Sequence, residues 1–292
     1  MRQYIIALFA AVILLSTSCI TVSENADKAA GSGTSPAVQE NVNEKVQVKK
    51  TIYIPNVVRE TSFFNDGYVE GYTTYTYDEE MVLVREDLFD SFDQILESAV
   101  YESGAEGVVT RMLYNNRGVL QSSKIIVNTS FGKPETVSVI DSEGGVQTTS
   151  SYEYDADGNK VKWMVADNGG VTLSETLYQY ENNLLMKIEI YNAGGKLQES
   201  FNNEYADGKL DRTNNNDADG NLKYGTEYGY DGDNLVSEKY LRSNGSTYRT
   251  VIFSNDDKGN PVKEEFFDGN GDLKDSLVRE YEYSTEEILI WE

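Results

Sequence analysis

Carboxylates are the only side chains here abundant enough to do chemistry: the chain holds 49 Asp and Glu, no histidine and one cysteine. Asp155-Ala156-Asp157-Gly158, Asp217-Ala218-Asp219-Gly220 and Asp268-Gly269-Asn270-Gly271 have the spacing that opens a calcium-binding loop. The best frame places Asn215, Asp217, Asp219 and Gly220 at the early positions, but Thr226 stands where a closing bidentate carboxylate belongs. The other two frames begin on Glu153 and Phe266, and the first would close on Met164. No metal site is therefore expected; tight hairpin turns account for all three runs. Lack of histidine removes the commonest general base and metal ligand together. No glycine-rich phosphate loop is present, so no cofactor is expected. The remaining enzymatic alternative is a carboxylate-dependent glycoside hydrolase. Its acidic doublets (Glu79-Glu80, Glu264-Glu265, Glu286-Glu287) are adjacent residues, which in a strand point to opposite faces. The domain reads as non-catalytic.

The acidic runs belong to a larger pattern. Turn signatures carrying Gly118, Gly144, Gly170, Gly195, Gly220, Gly245 and Gly271 recur in steps of 25 or 26 residues. A fixed period of this size denotes an array of one supersecondary unit. Asp or Asn opens each such turn because its side chain bonds the backbone two residues on, and Gly accepts positive φ. A second signature alternates with the first, Tyr-x-Tyr followed by Asp and Gly. It supplies Tyr152 and Tyr154, Tyr178 and Tyr180, Tyr205, Tyr228 and Tyr230, and Tyr281 and Tyr283. Tyrosines two apart share a face of the sheet, so they are expected to line up as an aromatic ladder that packs. Between turns, Val161, Trp163 and Val165 alternate with Lys160 and Lys162, and Met186, Ile188 and Ile190 with Lys187 and Glu189. That is the period of a strand.

The expected fold is all-β: an antiparallel β-meander of about eight tandem two-strand repeats forming one long twisted sheet, open or shell-like. Worn copies begin at Phe64-Asn65-Asp66-Gly67 and Tyr75-Thr76-Tyr77-Asp78. Residues 86–98 fit two readings. Leu88, Phe89, Phe92, Ile95, Leu96 and Ala99 fall at helical spacing, yet Asp90-Ser91-Phe92-Asp93 stands one period before Gly118, where a hairpin turn belongs.

The Tyr-x-Tyr-Asp-x-x-Gly element resembles the YD repeats of Rhs and teneurin-type shells. The alternating Asp-x-x-Gly turns are similar to MORN-variant repeats of exported bacterial proteins. Asn159, Lys209 and Asn260 stand where YD repeats carry Arg, and the period is longer than theirs. What the resemblance implies is architecture, hairpins stacked side by side.

Residues 1–18 read as a signal peptide: Arg2, then the apolar run Tyr4–Leu15, then Ser16-Thr17-Ser18 ahead of Cys19. This resembles the lipobox of bacterial lipoproteins, which implies lipidation of Cys19. Ser16 stands where an aliphatic residue is usual, with Leu15 one further back, as in the relaxed boxes of spirochaetes and some other Gram-negative groups. The other reading is an ordinary secretory signal cut near Ser18, which leaves a lone exported thiol. Residues 19–50 are polar and without hydrophobic period, a flexible tether, and 51–292 form the repeat domain. Ile20-Thr21 lack the aspartate that retains many lipoproteins at the inner membrane, which points to the outer membrane, on its surface or periplasmic face.

A net charge of −24 repels nucleic acid and anionic headgroups and keeps a long sheet soluble. The expected partners are thus the membrane, through the N-terminal lipid, and an unidentified protein or glycan. A periplasmic accessory or antitoxin-like module is the alternative role.

Overall fold

The computed structural model describes residues 47–291. Cys19, the signal peptide and most of the tether lie outside the described residues; the first strand begins at Gln47, within the span read as tether. The described residues form 18 strands. They are β1 (Gln47–Phe64), β2 (Val69–Tyr77), β3 (Leu83–Asp90), β4 (Ile95–Ser103), β5 (Val108–Asn115), β6 (Leu120–Asn128), β7 (Pro134–Asp141), β8 (Val146–Tyr154) and β9 (Lys160–Asp167). The second half comprises β10 (Thr172–Glu181), β11 (Leu184–Asn192), β12 (Leu197–Ala206), β13 (Lys209–Asp217), β14 (Leu222–Asp231), β15 (Asn234–Arg242), β16 (Thr247–Asn255), β17 (Pro261–Asp268) and β18 (Leu273–Trp291).

Every strand pairs antiparallel with its neighbours in sequence, as tight turns at this spacing dictate. The expectation of an open sheet is overturned. β1 pairs antiparallel with β18 from Gln47 opposite Trp291 to Phe64 opposite Asp275, which closes the wall into an 18-stranded barrel. The physical reason lies at the two edges. An open meander leaves two long rows of unpaired N–H and C=O groups, and right-handed twist brings its ends round until each row satisfies the other. The unit count is corrected too, from about eight to nine hairpins, β1–β2 through β17–β18. Residues 86–98 are one of these, β3, turn and β4, with Asp93 at φ 61° in the glycine's place.

Closure is reinforced by charge. Arg279 on β18 donates from Nε to Glu60 of β1 (2.6 Å) and pairs with Glu264 of β17, so one guanidinium stitches three strands across the seam. Beyond the barrel, Gln47–Asn56 and Glu282–Trp291 continue as a two-stranded ribbon, projecting about 30 Å from one rim at strand rise. The turn between β16 and β17 clasps its base: Lys258 Nζ lies 5.4 Å from the ring centre of Tyr53 and 4.6 Å from that of Tyr283.

A round wall of 18 strands has a radius of roughly 17 Å, too wide for side chains from opposite sides to meet. The burial agrees. Only Ala99, Ile188, Leu241 and Val251 are buried hydrophobic residues among those described, and most wall residues are half-buried on both faces. Stability therefore rests on strand neighbours rather than on a central core.

Replacing Arg279 by Ala strands two carboxylates at the seam. We expect a loss of about 2 kcal/mol in urea melts, less than for a fully buried pair, and faster amide exchange confined to β1 and β18. An unchanged midpoint would mean that backbone pairing alone holds the seam.

Candidate functional site

The turns come first, because they set the register of everything between them. In most hairpins one Asp or Asn side chain organises the turn. Asp217 Oδ1 accepts from the backbone N–H of Asp219 (2.9 Å) and of Asn221 (2.8 Å), while Gly220 N–H donates to Asp217 O (3.1 Å). The same set recurs at Asp90, Asn115, Asp141, Asp167, Asn192 and Asp268 on one rim, and at Asp78, Asp155 and Asp256 on the other. Gly118, Gly144, Gly170, Gly195, Gly220, Gly245 and Gly271 all sit in hairpin turns with φ between 69° and 90°. The carboxylates of the Asp-x-Asp-Gly runs at Asp155 and Asp217, and of Asp268, are thus engaged by their own backbone. These bonds hold the carboxyls down. The Lys274 ammonium, then the N–H groups of Asp272 and Asn270, bring Asp268 to about 2, and a bond from the Gly145 N–H leads the lowering at Asp141.

Registers place the two members of each tyrosine pair on one face of the wall, which we call the tyrosine face. Following paired residues round the wall gives Tyr152 opposite Trp163, Tyr178 opposite Ile188, Ile188 opposite Phe201 and Asn215 opposite Tyr224. The second tyrosine has a role that spacing did not reveal. Its hydroxyl donates to the backbone carbonyl 20 residues earlier: Tyr77 to Val57 (2.8 Å), Tyr154 to Pro134 (2.7 Å), Tyr180 to Lys160 (3.2 Å), Tyr205 to Leu185 (2.9 Å) and Tyr281 to Pro261 (3.0 Å). Asn255 takes the tyrosine's place and reaches Leu235 O at 3.0 Å. The reason is geometric. In these hairpins the ladder stops before the far rim, for example at Lys187 opposite Asn202, so the strands fork and a carbonyl is left facing the gap. The phenol fills the fork and satisfies that carbonyl.

The other ladder members differ among themselves. Tyr152 stacks on Trp163 with ring centres 6.3 Å apart, Lys160 lies 4.5 Å from the ring of Tyr178, and Lys209 lies 5.7 Å from that of Tyr230. Tyr228 shares a 3.4 Å contact with Thr213 Oγ1; burial pushes the Tyr178 and Tyr228 hydroxyls up to about 12. In the last unit Arg279 and Tyr281 occupy the two places of the pair. Tyr283 lies beyond them at the ribbon base, bonded to Asp256 and Asn260.

A charged belt crosses the tyrosine face on either side of the seam. Tyr75 donates to Glu60 (2.6 Å) and Tyr101 to Glu86 (2.6 Å), while Arg111 reaches both Tyr101 (2.9 Å) and Glu86 (3.1 Å). Further round, Tyr240 donates to Glu238, a buried carboxyl that burial raises above its ordinary range. The opposite face carries its own mid-strand ion pairs: Lys162 with Glu175 (2.9 Å), Arg212 with Glu227 (3.3 Å) and Lys263 with Glu265 (2.7 Å). Sequence spacing missed this belt because its members lie on different strands. A partial signal exists in the 15-residue separations Tyr75 to Glu60, Tyr101 to Glu86 and Arg279 to Glu264.

Among the described residues no single cleft gathers catalytic groups, and the acidic doublet Glu264-Glu265 is split between the faces: Glu264 binds Arg279 and Glu265 binds Lys263. What the geometry offers is a wall polar and charged on both faces.

No family model matches the chain, and no curated protein matches it. Among solved structures it is similar to a porin-like protein from Bacteroides uniformis ATCC 8492, with 11% identity and a TM-score of 0.43 over 77% of this chain and 98% of that one. A porin-like protein from Bacteroides vulgatus ATCC 8482 shows 14% identity and a TM-score of 0.33 over 77% of this chain and 98% of that one. The TcdB2-TccC3 structure without its hypervariable C-terminal region shows 12% identity and a TM-score of 0.26, over 78% of this chain and 19% of that one. Likenesses of this strength decide neither the fold nor the role of this chain.

Two outcomes are expected from this geometry. Tyr205→Phe removes one of two donors to the Leu185 carbonyl, which keeps Asn203 Nδ2 at 2.8 Å, and should cost about 0.5 kcal/mol in urea melts, while Tyr205→Ala, which also empties the fork, should cost about 2 kcal/mol. Equal midpoints for Phe and parent would dismiss the fork bond. In the turns of Asp141, Asp155, Asp217 and Asp268 the folded-state carboxyl pKa lies below that of the unfolded chain, so their stabilisation is complete above about pH 4 and fades as pH falls towards about 2. Thermal melts across that window should show a falling midpoint, with a shallower slope in Asp268→Asn.

Proposed function

We propose that this protein is an exported, lipid-anchored β-barrel that stands in water beside the membrane and acts as a non-catalytic binding or structural component of the outer-membrane surface. The observation carrying this is the charge on both faces of the wall. A barrel that spans a bilayer needs one outward face with a continuous apolar band, and a cation at mid-bilayer costs about 2–4 kcal/mol. Here Arg111 and Arg279 stand mid-strand on one face, and Lys162, Arg212 and Lys263 on the other. Either face would therefore take several such penalties in lipid. No helix among the described residues is long and apolar enough to cross a membrane, which leaves strands to be judged by their own side chains.

The anchor enters as the lipid on Cys19. Both chain ends leave the same rim through the ribbon, so a lipidated N-terminus would hold that rim towards the membrane with the ribbon and tether as spacer. The Tyr-x-Tyr pairs and Asp-Gly turns support a YD-like or MORN-variant-like origin for the units. The non-catalytic reading is supported by the carboxylates of the belt, each held by Arg or Tyr rather than poised in a cleft. The partner is a protein or glycan that meets a polar wall.

Cys19→Ala tests the anchor and the wall together. The variant should leave the membrane fraction, lose labelling by a palmitate analogue and remain monodisperse without detergent. A variant that stays in carbonate-washed membranes would overturn the water-exposed wall; unlabelled parent protein would overturn the lipid. Protease digestion of intact cells then distinguishes the surface from the periplasmic face.

A further inference from the structure

In a repeat protein each unit is a control for the others, and one unit breaks the pattern. Just before its final residue, Asp217, β13 carries Asn214-Asn215-Asn216. One unit earlier the same places hold Glu189-Ile190-Tyr191, one unit later Lys239-Tyr240-Leu241, and two units either way Met164-Val165-Ala166 and Glu265-Phe266-Phe267. The central residue is aliphatic or aromatic in all four relatives and an amide only here. That choice is costly. Asn215 is 1% exposed and its Oδ1 has no hydrogen-bond partner. The neighbouring strand β14 departs as well. Gly225 and Gly229 stand where β12 has Ser200 and Glu204, β10 has Glu175 and Gln179, and β16 has Thr250 and Ser254. Neither glycine has a positive φ, so backbone conformation does not require them.

Asn215 looks to the tyrosine side, whereas Asn214, Asn216 and the two glycines share the opposite face. Asn214 pairs with Asn202 on one side and Gly225 on the other, so an amide stands beside a bare stretch of backbone. Beside it lies a shallow, open bay of about 440 Å³ lined by Asn202, Glu204, Arg212, Asn214, Asn216 and Leu222, within the size range of small-ligand sites. Its charged groups orient one another: Asn214 Nδ2 donates to Glu204 (2.8 Å), Arg212 Nε donates to Asn214 Oδ1 (2.9 Å), and Arg212 pairs with Glu227 (3.3 Å). Local rules broken together, without a gain in packing, mark a place kept for binding.

Resting on the reading of a water-exposed binding wall, we infer that this bay binds a neutral saccharide. Its chemistry selects that class. Amides both donate and accept, as vicinal hydroxyls do, and Gly225, opposite Asn214, adds no side chain to crowd Asn214 and Arg212. An anionic ligand would face Glu204, Glu227 and a chain of net charge −24. A cationic peptide would need free carboxylates, yet Glu204 and Glu227 are already engaged by Asn214 and Arg212.

The test is calorimetric titration of the full chain in neutral detergent micelles with chitohexaose, cellohexaose, laminarihexaose, maltohexaose and mannohexaose. At least one should bind saturably at about millimolar concentration or below. Asn214→Ala should weaken that sugar about tenfold or more, and so should Gly225→Ser, which restores the residue found one unit earlier and crowds Asn214 and Arg212. Lys162→Ala, on the same face two units away, should bind like the parent, and urea melts of each variant verify folding. The proposal is overturned if no sugar saturates, if Lys162→Ala loses as much affinity as Asn214→Ala, or if polylysine or heparin binds more tightly than every neutral sugar. Detergent-free behaviour of Cys19→Ala reports on the exposed wall independently of any sugar.

Discussion

The pairing of β1 with β18 is the constraint on which the rest of this structure depends. A meander of hairpins satisfies every interior strand but leaves two edges, and each edge is a row of polar backbone groups that must find water, another molecule or each other. Here they find each other over the whole barrel height and beyond it into the ribbon. Closure ends the array at nine hairpins and gives the wall two faces with no exposed edge. It also brings Glu60 beside Arg279, residues from opposite ends of the chain. The same closure sends the start of β1 and the end of β18 out of one rim.

A wall this wide has no central core to stabilise it, so the burden falls on features repeated once per unit. Most turns are tied by an Asp or Asn side chain to two backbone N–H groups, and many of the forks are closed by a phenol on a carbonyl 20 residues back. Half-burial suits tyrosine, whose ring covers apolar area while its hydroxyl takes the carbonyl. The acidic surface has a parallel explanation in the turns, because carboxylates there are used as backbone caps as well as for solubility. Stability is thus distributed along the sheet and close to nearest-neighbour in character, as expected of a repeat architecture.

Where every unit repeats a structural solution, function is to be sought where a unit departs from it. The Asn214-Asn215-Asn216 run and the two β14 glycines sacrifice packing and strand propensity in adjacent strands, and Asn214 and Asn216 line one bay beside Gly225. The charged belt near the seam is different in kind. Its groups are mutually paired across successive strands, Glu60 with Arg279 and Tyr75, Glu86 with Tyr101 and Arg111, which is what a stitched closure requires.

The sequence by itself determined the unit. Turn chemistry at Gly118, Gly144, Gly170 and their successors follows from Asp, Asn and Gly, and the two-residue alternation of Val161, Trp163 and Val165 follows from the pleat. Both are local properties, readable within about ten residues. Even the ambiguous stretch at 86–98 held its answer in the period, since Asp93 fell one step before Gly118. What only the tertiary structure decided is non-local. Whether the sheet stays open depends on twist summed over 18 strands and on two edges more than 200 residues apart, and no window of sequence contains both. The tyrosine forks, the seam around Arg279 and the amide bay likewise join side chains from different strands. A repeat pattern establishes that such strands are neighbours, but the register that brings Asn214 opposite Gly225 is set by every bulge and turn between them.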